Sequence, residues 1–131
     1  MMLERQVVLV ADDNADAADS LGVLLGFAGH EVHIAYDGRQ AIAVARNVCP
    51  TVAVLDIGMP GATGYEVASW IRTQRWGRNT RLIALTAYDS RESVAQSFGS
   101  GFDVHLTKPS GYDEVLDAFA WPVGVRAASK V

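Results

Sequence analysis

Short apolar runs alternate along the chain with stretches in which apolar residues recur at helical spacing. Val7–Ala11 is apolar at every position, which leaves no wet face and reads as a strand buried on both sides. Asn14 can cap the next segment, where Ala18, Leu21, Leu24, Leu25 and Ala28 mark one face of a helix, and Gly29 stands where a helix-ending glycine belongs. Glu31–Ala35 sets Val32 and Ile34 around His33, the alternation of a strand nearer an edge. Asp37-Gly38 reads as a turn, and Ala41, Ile42, Ala45 and Val48 mark a second helix stopped before Pro50. Thr51–Leu55 is the third strand. A loop with Gly58, Pro60, Gly61 and Gly64 leads from it into a helix carrying Val67, Trp70, Ile71 and Gln74. Arg81–Leu85 and Phe102–Leu106 are the fourth and fifth strands, separated by a helix from Ser90 to Phe98. Tyr112, Val115, Leu116 and Phe119 line a last helix that ends before Pro122. Residues 1–121 are therefore expected to form one domain, and 122–131, which lack periodicity, a poorly ordered tail.

Strands alternating with helices imply an α/β doubly wound parallel sheet, with helices on both faces and the C-terminal ends of all strands at one edge. The alternation alone does not set the strand order. The chemistry gathers at that edge, where open α/β sheets build their sites. Asp12 and Asp13 follow the first strand, Asp56 the third, Thr86 the fourth and Lys108 the fifth. Three neighbouring carboxylates repel, which raises the pKa of at least one, and a divalent cation relieves the repulsion. Magnesium suits oxygen ligands that share it with a phosphate, whereas zinc would ask for His or Cys ligands. A lysine directly after a buried strand needs an anionic partner, either one of the acids or a phosphoryl oxygen. A cis bond before Pro109 would aim it back across the edge. Each feature alone has a plainer explanation. Asp12-Asp13 can be the acidic start of a helix, Lys108-Pro109 a surface lysine before a helix, and Thr86 an ordinary strand end.

Half of the 131 residues are hydrophobic, enough for one domain to bury about two-thirds of its unfolded surface. The net charge of −4 comes without a basic run, so no nucleic-acid partner is expected. The single cysteine, Cys49, excludes an internal disulfide and reads as a small core or loop residue. Met1 to Gln6 resembles neither a signal peptide nor an anchor, and no apolar stretch approaches the roughly 20 residues of a membrane span. A cytoplasmic domain with no membrane partner is expected.

Taken together, four motifs resemble the response-regulator receiver domain of two-component phosphorelays. They are Val8-Leu9-Val10-Ala11-Asp12-Asp13-Asn14, Leu55-Asp56-Ile57-Gly58-Met59-Pro60-Gly61, Leu85-Thr86-Ala87 and Leu106-Thr107-Lys108-Pro109. Gly99-Ser100-Gly101-Phe102-Asp103 is similar to the family's link into its fifth strand. The resemblance implies a flavodoxin-like five-stranded sheet of order 2-1-3-4-5. It implies that Asp56 accepts a phosphoryl group from a phosphohistidine on a histidine kinase or histidine phosphotransfer protein. Asp13, Asp56 and the Gly58 carbonyl would ligate Mg2+, with Asp12 reaching it through water. Lys108 and Thr86 would bind phosphoryl oxygens. The family couples that threonine to an aromatic residue on the fifth strand, a position held here by His105. His105 is expected to rotate inward on activation, with a lowered pKa, and to remodel the face of the fourth helix, fifth strand and fifth helix. Ala62 and Thr63 stand where a larger, acidic pair is common in the family.

A phosphoacceptor module that is not a turnover enzyme, a monomer or weak homodimer with an unidentified output partner, is the expectation. A receiver-like interaction domain that works without phosphorylation is the alternative. A haloacid-dehalogenase type of enzyme would need an acid where Gly58 stands, and a flavin carrier would need a glycine- and hydroxyl-rich loop where Asp12-Asp13-Asn14 stands. The Asp-Asp-Asn start resembles receivers of hybrid sensor kinases, so either a stand-alone regulator or a module from a longer chain is compatible.

Overall fold

A computed structural model describes residues 4–127. Its strands are β1 (Val7–Ala11), β2 (Glu31–Ala35), β3 (Val52–Leu55), β4 (Arg81–Thr86), β5 (Val104–Thr107) and β6 (Val125–Ala127). Its α-helices are α1 (Ala15–Phe27), α2 (Gly38–Val48), α3 (Gly64–Thr73), α4 (Arg91–Gly99) and α5 (Tyr112–Ala118), with a 3-10 turn at Trp76–Asn79. All strands run parallel in the order β2-β1-β3-β4-β5-β6.

Alternate residues of each strand serve opposite faces. Val8, Val10, Val52 and Val54 join Ala18 and Leu25 of α1 and Val115 of α5 in one core cluster. Leu9, Ala11, Ala53 and Leu55 join Ala41 of α2 and Val67 and Ile71 of α3 in another. Both faces being covered explains why β1 and β3 are apolar at nearly every position. β2 lies at an edge, as its polar alternation implies.

The flavodoxin-like order of the first five strands is as expected, and two expectations need correction. The first is the strand count. Residues 125–127 form β6, which pairs parallel with β5 (Val104↔Val125, His105↔Arg126, Leu106↔Ala127), so the sheet has six strands where the sequence suggests five and an unstructured tail. The approach is fixed before the strand begins. Arg81 Nη1 donates to the Trp121 carbonyl at 2.6 Å and the Gly124 amide to the Asp103 carbonyl at 2.6 Å. Residues 128–131 of the expected tail lie outside the described residues.

The second is Asp37-Gly38, which starts a helix instead of making a turn: Asp37 caps α2, its carboxylate accepting from the Gln40 amide at 2.8 Å. Strand ends also shift by a residue or two. Phe102 packs in the core ahead of β5, because the Asp103 carboxylate takes the Leu82 amide at 2.9 Å and thereby fills a place in the ladder. Arg72 from α3 binds that same carboxylate at 3.0 Å and the Gly101, Gly77 and Thr80 carbonyls, tying the α3–β4 and α4–β5 connections together at the N-terminal edge of the sheet.

Candidate functional site

The opposite edge holds the acids. Asp12 leaves β1 with its amide still donating to the Ala35 carbonyl, so its backbone is an extension of the sheet and its side chain is held inward, 6% exposed. Its Oδ1 accepts the Asn14 amide at 3.0 Å, a local turn that leads into α1, and Asn14 in turn caps the helix through the Ala17 amide. Asp13, one residue on, faces solvent. Asp56 leaves β3 in the same way, its amide donating to the Ala11 carbonyl at 2.9 Å, and its Oδ1 accepts the Ile57 amide at 2.7 Å. One carboxylate oxygen from each of Asp12, Asp13 and Asp56 lies within 4.8 Å of the others. The expected acidic cluster is therefore assembled, from two strand ends.

The loop after Asp56 is set by two close approaches. The Gly64 amide donates to the Ile57 carbonyl at 2.8 Å, and a Cβ on Gly64 would overlap the Asp56 carbonyl oxygen. The Gly38 amide donates to the Pro60 carbonyl at 3.1 Å, and a Cβ there would overlap the Ala62 carbonyl. Thr63, at the position where an acid is common in the family, caps α3 in a reciprocal box with Glu66. That capping gives the hydroxyl a structural task.

Lys108 follows β5, and its bond to Pro109 is cis. Its amide donates to the Thr86 carbonyl at 2.8 Å, which continues the β4–β5 ladder past the strand. The ammonium donates to Asp12 Oδ2 at 2.7 Å and to Asp56 Oδ2 at 3.2 Å. Burial acts to lower the Lys108 pKa, but the two carboxylates together outweigh it and the net shift is upward. Burial raises the pKa of Asp12, and the Asp56 charge adds to this against the opposing bonds from Lys108 and Asn14. A buried acid that takes on its charge this reluctantly gains from a second cation nearby.

Thr86 ends β4 buried at 1% exposure, and its Oγ1 accepts the Tyr88 amide at 3.2 Å. His105 is fully buried. Nδ1 lies 2.9 Å from Ser97 Oγ and Nε2 2.9 Å from the Tyr88 carbonyl. A carbonyl only accepts, so Nε2 carries the proton and Nδ1 accepts from the serine hydroxyl. Burial lowers the pKa of the ring, which favours this neutral form. In this conformation the ring lies inward with both nitrogens bonded, the position expected of it on activation. The sequence reading missed Ser97 and Tyr88 as its partners. A serine beside Val94 and Phe98 on the inner face of α4 is the signal that could have found one of them.

A cavity of about 510 Å³ opens beside Asp12, Asp56 and Lys108 and runs between α1 and α5 over Val10, Val54 and Leu85. It keeps the reacting edge open to approach from that side.

The arrangement offers a carboxylate at a strand end, hard oxygen ligands for a divalent cation and an ammonium in reach of both, a set suited to accepting a phosphoryl group. Comparison with known proteins agrees. Residues 8–120 match the response regulator receiver domain family. Response regulator MprA of Mycolicibacterium vanbaalenii is 35% identical over 109 residues, 83% of this chain and 46% of that protein, so the chain spans about half the length of this curated relative. An uncharacterized 14.6 kDa protein in the sodA1 3' region of Leptolyngbya boryana is 34% identical over 82% of both chains. Among solved structures, the chemotaxis response regulator CheY4 of Vibrio cholerae superposes with a TM-score of 0.81 at 31% identity, covering 87% of this chain and 95% of that one. With the family model matched over residues 8–120 and the fold shared, the chain belongs to the response regulator receiver domain family, the phosphoacceptor modules of two-component signalling.

Proposed function

We propose that Asp56 takes a phosphoryl group from a phosphohistidine on a histidine kinase or histidine phosphotransfer protein. The observation that carries this reading is the pair of Lys108 bonds, which hold one ammonium between Asp12 and Asp56 at the open edge of the sheet. A carboxylate needs no base to act as nucleophile. An Asp56 oxygen forms the new P–O bond as the P–N bond to the donor imidazole breaks, and Lys108 moves from the carboxylates toward the oxygens of the transferred group. Asp13, Asp56 and the Gly58 carbonyl would hold Mg2+, with Asp12 acting through water. The ion, when bound, neutralises charge on the phosphoryl oxygens. The Thr86 hydroxyl keeps a proton to donate to one of them, since its oxygen accepts from the Tyr88 amide.

The domain carries its phosphoryl group as a signal and loses it slowly, with no substrate turned over. The face of α4, β5 and α5 is the output surface, met by a separate partner, and the module works in the cytoplasm as a monomer or weak homodimer. Among the described residues no helix is long and apolar enough to cross a membrane.

Incubation with a small-molecule phosphodonor and Mg2+ tests the assignment. Intact mass should rise by one phosphate, base should release it, and Asp56→Asn should abolish the gain. Labelling that persists in Asp56→Asn would move the acceptor elsewhere. A chain that takes no label would leave the interaction domain that works without phosphorylation.

A further inference from the structure

Residues 121–127 lie past the end of the family match at residue 120, yet they are built onto the sheet. His105 of β5 and Arg126 of β6 are partners in register. Their side chains reach consecutive carbonyls of one loop. His105 Nε2 donates to the Tyr88 carbonyl at 2.9 Å, and Arg126 Nη2 donates to the Asp89 carbonyl at 3.1 Å.

That loop begins with Thr86, whose Oγ1 accepts the Tyr88 amide, and it also touches the segment after Asp56. A Cβ on Gly58 would stand 2.8 Å from the Tyr88 hydroxyl oxygen. Residues 87–90 are otherwise exposed, so the loop has little packing of its own and depends on these few polar ties for its position.

We propose that β6 is a latch on the loop from Thr86 to Ser90. Arg126, docked by the pairing of β6 with β5, holds the Asp89 carbonyl and so opposes the movement of Thr86 toward a phosphoryl group on Asp56. Phosphorylation in turn loosens β6 and uncovers the backbone edge of β5. The uncovered edge is a parallel-strand acceptor, and the partner it fits is a protein that offers an extended segment. The coupling is reciprocal, so a partner that captures the β5 edge also favours the phosphorylated state. This inference rests on Asp56 as the phosphoacceptor.

Two variants of the full chain dislodge β6 by independent means. Arg126→Ala removes the donor. Gly124→Val places a β-branched residue at φ +91°, which only glycine adopts readily, just where the chain turns into β6. Both should speed amide exchange at Tyr88 and Gly124 and raise the initial rate of labelling by a small-molecule phosphodonor about fivefold, at the lower end of allosteric couplings because the Arg126 bond is solvent-exposed. Beryllofluoride with Mg2+ should speed exchange at Gly124 in the wild-type chain.

Wild-type exchange at residues 87–90 in both variants would overturn the latch. Faster exchange with an unchanged labelling rate would overturn its coupling to Asp56. A wild-type chain that takes no phosphoryl group would sink the phosphoacceptor reading and the coupling with it, while loop exchange would still report whether β6 holds the loop.

Discussion

Lys108 and Asp12, 96 positions apart in the chain, meet with Nζ and Oδ2 at 2.7 Å, closer than Lys108 stands to Asp56 at 3.2 Å. The ammonium therefore balances the more buried acid first. Breaking a buried ion pair by removing one partner costs about 3–5 kcal/mol. Here the Lys108 side chain is 29% exposed, so Lys108→Met should cost about 2 kcal/mol in a urea melt. The same variant removes a positive charge from beside the acids, so it should bind Mg2+ more tightly by titration while taking phosphate more slowly. Weaker Mg2+ binding in Lys108→Met would show that the lysine orders the acids and does not compete with the ion.

Mg2+ should stabilise the folded chain by roughly 2.7 kcal/mol when present at about 100 times its dissociation constant. Asp13 is exposed, so Asp13→Asn should fold like the parent and lose most of that gain. Thermal melts of both chains with and without Mg2+ measure it. Identical Mg2+-induced shifts in the two would remove Asp13 from the metal site.

Two glycines after Asp56 should respond differently to alanine. On Gly64 the new methyl meets the Asp56 backbone, which cannot yield, so Gly64→Ala should lose about 1–3 kcal/mol and slow labelling of Asp56. On Gly58 it meets the tip of the Tyr88 side chain, which is half exposed and can swing away. Gly58→Ala should therefore stay within about 0.5 kcal/mol of wild type, like other surface changes. Equal losses in the two variants would mean that Tyr88 is held as firmly as backbone.

Stability should fall as the medium is acidified below the ordinary histidine pKa of 6.5. Burial lowers the folded-state pKa of His105, so in this window the unfolded chain takes up a proton that the folded ring refuses. The loss grows from pH 6.5 down to the depressed pKa and then levels off. His105→Phe should flatten the slope, though not completely, because burial also lowers the pKa of His30. Denaturant melts across this range would check it, and an unchanged slope in His105→Phe would assign the effect to other groups.

β1 and β3 are legible because burial on both faces forces them to be apolar at every position, and β2 because its polar alternation marks an edge. The acids and Lys108 were legible because each ends or follows such a run. Other features depend on contacts that a linear pattern does not carry. Val125–Ala127 has no periodicity of its own and is a strand only because β5 offers a free edge. Asp12 and Asp13 look alike in sequence, yet continuation of the β1 ladder through the Asp12 amide buries the first and leaves the second in water. The inward His105 ring follows from two acceptor and donor atoms, at Tyr88 and Ser97, that no spacing rule would pair with it.

Covering β5 also changes how the molecule meets copies of itself. A parallel sheet that stopped at β5 would present the unpaired backbone groups of Val104–Thr107, an uncharged stretch open to pairing with another chain. With β6 in place the outer strand is three residues long and carries an arginine, and at the far side β2 carries Glu31 and His33. Short length and charge at both borders discourage sheet-to-sheet stacking between molecules, so β6 guards the protein's solubility at high concentration.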